Sequence, residues 1–269
     1  MRAEPSAGGL VAAISHRHYL KMVQTAFHEM PDGRRIAFRY APGAGPCVVF
    51  LPGYKSDMAG GKATALFEAA RAAGRGCLLL DYSGCGESSG DFAQGTLSRW
   101  REEVLGLIAA LGLDEVVLVG SSMGGWLMLL VALALPAHRI AGLVGVAPAP
   151  DFTDWGTPPD EQTRLAAGET ILAENPYGPE PTPTHPGFWA DGQRQRLLDT
   201  RIAIDAPVRL LHGQADPDVP WSISLRLAEA LRSADVQVTL IKDGDHRLSR
   251  EADIALLLEA AGALARWPR

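Results

Sequence analysis

Short, dense apolar runs alternate along the chain with longer stretches in which apolar residues recur every three or four positions. The runs CVVFLPG (47–53), CLLLDYSG (77–84), Glu115–Val119, Ile140–Val146, VRLLHG (208–213) and VQVTLIK (236–242) are β-branched or Leu-rich. Several stop at Gly or Pro, as buried strands do. Helices are expected over Lys62–Ala73, Leu97–Leu111 (with Thr96 or Ser98 as its cap), Ser222–Leu231 and Arg250–Ala265, and a wholly apolar, buried one from Met123. Residues 22–30 and 34–41 flank Asp32–Gly33 and predict an antiparallel hairpin. This alternation predicts an α/β fold with a mostly parallel eight-stranded sheet flanked by helices.

The rhythm breaks between Ala147 and Ala206, where Pro and polar residues dominate and NPYGPEPTPTHPG lies at the centre. Two short helical pieces are expected there, near Glu161–Ala173 and Phe188–Leu198. Some sixty residues between two strands is too long for a plain connection and suggests a functional lid. The expected organisation is an N-terminal arm (1–20), a core (21–147 and 206–269) and a lid inserted before the acid-bearing strand (148–205).

Composition narrows the picture. With 269 residues, 47% of them hydrophobic and 21% charged, the chain can bury a sizeable core. A net charge of −6 without a basic stripe argues against a nucleic-acid partner. No apolar run approaches the roughly 18 residues of a membrane span, so no stable membrane insertion is expected. Cys47, Cys77 and Cys85 have neither zinc-like spacing nor an even number for a disulfide framework, which fits a reducing cytoplasm.

Candidate chemistry centres on G-x-S-x-G, which occurs at Gly120–Gly124 (GSSMG) and at Gly86–Gly90 (GESSG). A nucleophile elbow needs a buried strand directly before it, a helix directly after it, and Gly two residues to either side. Ser122 meets these needs, between Val116–Val119 and Trp126–Leu135. Ser88 does not, because its strand ends near Asp81 and a loop follows. A serine hydroxyl needs a base, and the base a carboxylate to orient it. In the chain order Ser, acid, His, the base is His246, in the loop after a late strand (IKDGDHRL). His138 reads as a surface residue, His185 lies in the Pro-rich insertion, and His212 belongs to its strand end.

The acid is expected at Asp216 in HGQADPDVP, with Asp218 a close competitor and Asp151 a distant one. Two backbone N–H groups must hold the tetrahedral oxyanion. Met123 at the start of its helix and Tyr54 after Pro52–Gly53 are the candidates. Trp155, Trp189 and Trp221 are candidate substrate contacts, with Phe152, Tyr177 and Phe188 nearby. Asp57 and Lys62 could pair to fix the oxyanion loop, and no metal or cofactor is called for.

These residues resemble those of the α/β-hydrolase superfamily. The narrower likeness is to the family of the mitochondrial acyl-protein thioesterase and acyl-glucuronide esterase, α/β-hydrolase domain-containing protein ten. The stretches that carry it are FLPGYKSDMAGGKA (50–63), DYSGCGESSGDF (81–92), TLSRWREE (96–103), VGSSMGGWLML (119–129), LLHGQADPDVPW (210–221) and DHRL (245–248). The likeness implies the α/β-hydrolase fold, a serine-hydrolase mechanism and ester or thioester substrates. On its motif, Ser122, Asp216 and His246 fall on the triad, and Tyr54 and Met123 on the oxyanion hole. Without a clear transit peptide, the mitochondrial address is not expected to carry over. Two other readings remain open on the same residues: cleavage of a C–C or peptide bond by the same triad, and a non-catalytic receptor for a small-molecule or acylated ligand.

Overall fold

The computed structural model describes residues 24–175 and 178–268, so the expected N-terminal arm and Tyr177 lie outside the described residues. Among the described residues, ten strands form in chain order: β1 (Ala26–Glu29), β2 (Arg35–Ala41), β3 (Ala44–Leu51), β4 (Arg75–Leu80), β5 (Val116–Ser121), β6 (Ile140–Val146), β7 (Ile171–Ala173), β8 (Thr182–Thr184), β9 (Val208–Gly213) and β10 (Val236–Ile241). The helices are α1 (Gly61–Ala72), α2 (Leu97–Ala110), α3 (Met123–Ala134), α4 (Phe152–Trp155), α5 (Pro159–Ala166), α6 (Pro186–Arg194), α7 (Ser222–Ala230) and α8 (Glu251–Leu264). Eight strands build the main sheet in the order β1-β2-β4-β3-β5-β6-β9-β10. Only β2 runs against the rest, since β1 and β4 both pair with it antiparallel and every other ladder is parallel.

The central strands are apolar on both faces because both faces are covered. Val48, Phe50, Val117 and Val119 face a core completed by Leu66 and Phe67 of α1 and by Leu257 and Ala261 of α8. Cys47, Val49, Leu51 and Leu118 face the other core, with Trp100 and Leu107 of α2, most of α3, and Leu227 of α7. Full burial of each such aliphatic side chain stabilises the fold by about 1.5–3 kcal/mol. Helix α3 is apolar on every side, and residues 123–132 are all buried, which is why its sequence lacks an amphipathic stripe. The Thr96 hydroxyl accepts from the Arg99 N–H at 3.1 Å and so starts α2 as a cap.

Between β6 and β9 the chain leaves the sheet to form α4, α5, the antiparallel β7–β8 hairpin and α6. The helix expected over 161–173 stops at Ala166, because Gly168 takes a φ of 92° and β7 follows. The second expected helix starts earlier, with Pro186 at its first turn, and ends at Arg194. Beyond it the chain is held back on the body: the Asp151 carboxylate accepts from the N–H groups of Leu197 and Leu198 at 2.8–3.0 Å. The Gln195 carbonyl accepts from the Trp126 indole at 3.1 Å. An aromatic cluster of Tyr54, Phe92, Trp100, Phe152 and Phe188 joins the insertion to the body, with Tyr54 and Phe188 centroids 4.7 Å apart.

Candidate active site

The turn from β5 into α3 places Ser122 at φ 53°, ψ −122°, a conformation that strains any residue with a side chain. Three backbone hydrogen bonds hold it there. The Ser122 N–H donates to the Val146 carbonyl at 2.9 Å, and its carbonyl accepts from Gly125 and Ala149 at 2.8 and 3.0 Å. The glycines are required by contact as well as by conformation. A Cβ on Gly120 would lie 2.3 Å from the Gly124 carbonyl oxygen, and one on Gly124 would lie 2.0 Å from that of Leu51. The second motif is a loop: the Ser88 hydroxyl donates to the Asp81 carbonyl at 2.7 Å and accepts from the Ala37 N–H at 2.8 Å.

Ser122 Oγ lies 3.0 Å from His246 Nε2, and His246 Nδ1 lies 2.9 Å from Asp216 Oδ2. An ionised carboxylate can only accept, so Nδ1 carries the proton and Nε2 presents its lone pair to the serine hydroxyl. The Asp216 side chain is fully buried and that of His246 is 14% exposed. Asp216 Oδ1 accepts from the N–H groups of Asp218 and Val219 at 2.8 and 2.9 Å. Burial pushes the Asp216 carboxyl up, but hydrogen bonds from His212, His246 and the Val219 N–H outweigh it and hold it well below the usual carboxylate range.

Of the rival acids, Asp151 is spent on the Leu197 and Leu198 amides, and Asp218 is exposed. His138 is exposed in the turn between α3 and β6, and His185 is half-buried in the insertion. His212 is more than a strand-end residue: its Nε2 lies 3.2 Å from the same Asp216 oxygen. No spacing signal marks that contact, because it depends on how the loop after β9 curls back over the strand. Asp216, Asp218 and His246 offer ligand atoms within 4.8 Å of one another. Asp216 and His246 have already committed theirs to hydrogen bonds.

Met123 supplies the first backbone N–H of α3, a donor with no partner inside its own helix, where the helix dipole favours an anion. Tyr54 follows Gly53, and a Cβ on Gly53 would stand 3.3 Å from Ser122 Cβ, so this loop lies against the serine. The Tyr54 phenol donates to the Pro183 carbonyl at 2.9 Å.

Two cavities open at Ser122 and His246. One, of about 170 Å³, is bounded by Met123, Ala149, Phe152, Trp155 and Val219. The other, of about 460 Å³, has more charged side chains in its wall and is bounded by Lys55, Ser56, Lys62, Asn175, Thr182 and Arg247 among others. Trp155 therefore lies in the site, with its indole donating to the Pro150 carbonyl at 2.7 Å. Trp189 and Trp221 line neither cavity, contrary to expectation. The Trp189 indole is turned onto the Thr153 carbonyl at 3.1 Å, and Trp221 is 36% exposed at the start of α7.

The expected Asp57–Lys62 pair is also corrected. Asp57 accepts from the Ala59 N–H at 2.8 Å, whereas the Lys62 ammonium donates to the Arg247 carbonyl beside His246. Burial, and secondarily the Arg247 charge, bring Lys62 down to about 8. Cys47, Cys77 and Cys85 are buried thiols, and burial raises Cys47 and Cys85 to about 12.

The sheet order, the strained serine between two glycines and the serine–histidine–aspartate chain define an α/β-hydrolase. The model of the alpha/beta hydrolase family matches residues 48–266, and the chain belongs to that family. It is 38% identical over 237 residues to human mitochondrial palmitoyl-protein thioesterase ABHD10, spanning 87% of this chain and 77% of that one. The structure of mouse alpha/beta hydrolase domain-containing protein 10 superposes with a TM-score of 0.83 at 35% identity, covering 90% of this chain and 98% of the mouse chain. A more partial likeness, 31% over 170 residues (52% of this chain, 60% of the relative), is to 2-hydroxy-6-oxo-2,4-heptadienoate hydrolase of Pseudomonas putida. The cytoplasmic address expected from the cysteines is overturned by these relatives, since the ABHD10 proteins of human, orangutan and mouse are named as mitochondrial. Buried cysteines report packing and do not distinguish one reducing compartment from another. Among the described residues no helix is long and apolar enough to cross a membrane.

Proposed function

We propose that this α/β-hydrolase cleaves carboxylic esters or thioesters through an acyl-enzyme on Ser122. The unbroken hydrogen-bond chain Ser122–His246–Asp216, opening onto two cavities, carries the reading. His246 Nε2 takes the hydroxyl proton as Ser122 Oγ attacks the acyl carbon. The Met123 and Tyr54 N–H groups receive the oxyanion. His246 then gives the proton to the leaving oxygen or sulfur, the C–O or C–S bond breaks, and the acyl group stays on Ser122. A water, deprotonated by the same nitrogen, releases the acid and restores the serine. Asp216 keeps the imidazole in the required tautomer throughout.

Met123, Phe152 and Trp155 in the smaller cavity suit the acyl group, and the charged side chains of the larger one, Lys55, Lys62 and Arg247, suit a polar leaving group. The inserted segment 148–205 acts as a cap, because Phe152, Trp155 and Thr182 bring it over the serine. The test is turnover of a p-nitrophenyl ester series from acetyl to palmitoyl, with matching S-acyl thioesters, by wild type and Ser122→Ala. Turnover that requires Ser122 supports the reading, and turnover that survives Ser122→Ala overturns it. A carbon–carbon hydrolase on the same triad is the second reading, favoured by the Pseudomonas relative. Inertness toward every ester and thioester, with cleavage of a 2-hydroxy-6-oxo-dienoate, would select it.

A further inference from the structure

The Asp216 carboxylate is held by two histidines, of which catalysis as described uses one. His212, at the C-terminal end of β9, is completely buried, and its Nε2 lies 3.2 Å from Asp216 Oδ2 and 3.0 Å from the Val219 carbonyl. Both neighbours of Nε2 only accept, so the proton belongs there. Nδ1 is then a lone pair, and the buried Ser224 hydroxyl, 2.7 Å away on α7, donates to it. Asp216 Oδ2 thus receives one N–H from His246 at 2.9 Å and a second from His212.

We propose that His212 is a positioning residue of the proton relay: it fixes the Asp216 carboxylate and draws part of its charge away from His246. Two consequences follow from this arrangement, which rests on the reading of Ser122, His246 and Asp216 as the reacting residues. The first is orientation. A carboxylate that must hold the imidazole in line with Ser122 has both oxygens bound, Oδ1 by Asp218 and Val219 amides and Oδ2 by the two rings. The second is electrostatic. A donor on Oδ2 competes with His246 for the same lone pairs, so less negative charge is available to stabilise the imidazolium. Removing that donor strengthens the hold on a protonated His246 and moves the acid limb of the rate profile to higher pH. The other charged groups near His246 are Asp218 from the β9 loop, Asp245 and Arg247 from its own loop, Lys62 from α1, Lys55 and Asp57 from the loop after β3, and Glu174 after β7. None is altered by a change at His212.

Two amides separate the roles of the ring nitrogens. His212→Gln places an N–H near the position of Nε2 and keeps the donor to Asp216. His212→Asn reaches only as far as Nδ1, so it keeps the Ser224 contact and loses Asp216. The measurement is kcat and KM for a p-nitrophenyl ester across pH, with thermal unfolding to confirm that each variant is folded. His212→Gln is expected to stay within about threefold of wild type with an unmoved acid limb. For His212→Asn we expect kcat lower by about 10–100-fold, KM nearly unchanged and the acid limb at higher pH. Equal kcat values and equal acid limbs for the two folded variants would overturn the proposal. Should His212→Asn not fold, His212→Met decides in its place, because its chain matches the length of Gln without an N–H for Asp216; an unchanged kcat and acid limb there would overturn the proposal too. Ser122→Ala, measured in parallel, keeps the two levels apart: residual turnover in that variant sinks the serine mechanism itself, whereas an inert Ser122→Ala with indistinguishable His212 variants sinks this inference alone.

Discussion

The phenol of Tyr54 donates to the carbonyl of Pro183 at 2.9 Å, so the loop proposed to offer the second oxyanion N–H is fastened to the β7–β8 hairpin of the inserted segment. The same ring sits edge-on to Phe92, with centroids 5.0 Å apart, and tilted against Phe188. Burial is the main cause raising its hydroxyl above the usual phenol range, so it acts as a neutral donor. One side chain thereby couples the inserted segment to the backbone proposed to hold the oxyanion.

Tyr54→Phe keeps the ring and the backbone N–H and removes only that tie. Stability should fall by about 1 kcal/mol, the net worth of a single neutral hydrogen bond. Because the oxyanion loop is then less firmly placed, kcat/KM should drop about tenfold, mostly in kcat. Denaturant unfolding and steady-state kinetics check both; an unchanged kcat would mean that the tie serves stability alone.

The three tryptophans separate by position. Trp155 bounds the smaller cavity, so Trp155→Leu should enlarge it and shift the acyl preference toward longer chains by about tenfold in relative kcat/KM. Trp221→Ala, at an exposed residue lining neither cavity, should leave the preference within about twofold. A chain-length series on both variants reads this directly.

Backbone contact at the elbow sets the third expectation. Gly124→Ala would put a methyl 2.0 Å from the Leu51 oxygen and 2.5 Å from that of Pro52, forcing α3 away from β3. Stability should fall by about 3–5 kcal/mol, at the high end for single substitutions. Gly187→Ala, in α6 with nothing within 4 Å of the added carbon, should be neutral or raise stability by about 0.4–1 kcal/mol. Urea unfolding of the pair supplies its own control.

Much of this candidate site is legible in the sequence. GSSMG announced itself by the strand before it and the helix after it, and Asp216 and His246 each follow a late apolar strand in a polar loop. The doubly covered strands were equally plain, since a parallel sheet leaves continuous apolar runs. The insertion was opaque for physical reasons. Strands of three residues, one of them Thr-Pro-Thr, carry no usable alternation, and their pairing is decided by tertiary contact. Which tryptophan enters the site depends on where the insertion turns, so Trp155 could not be told from Trp189. Lys62 chose the Arg247 carbonyl over Asp57 across 185 positions of chain, a choice no local pattern encodes.

A pH dependence of stability follows from Asp216. Its folded-state carboxyl lies below the unfolded value of about 3.9, so the stability it contributes is fully present above that value and is lost as pH falls toward the lower folded one. The stability gap between wild type and Asp216→Asn should therefore narrow as pH is lowered from about 5 to about 2. A gap that stayed constant or widened over that range would show that the carboxylate charge is not what the fold uses. At neutral pH the same variant should lose about 10⁴-fold in kcat, since an amide can stabilise the wrong imidazole tautomer.

The central claim is that Ser122 alone among the serines is activated as a nucleophile, and covalent labelling reads it most directly. The protein would be treated with a fluorophosphonate, which reacts with activated serines, and the adduct counted by intact mass and located by peptide mapping. One adduct per chain on Ser122, absent after His246→Ala, is the expected result. Labelling at Ser88 or Ser121, or a Ser122 adduct that forms equally fast without His246, would contradict the mechanism described here.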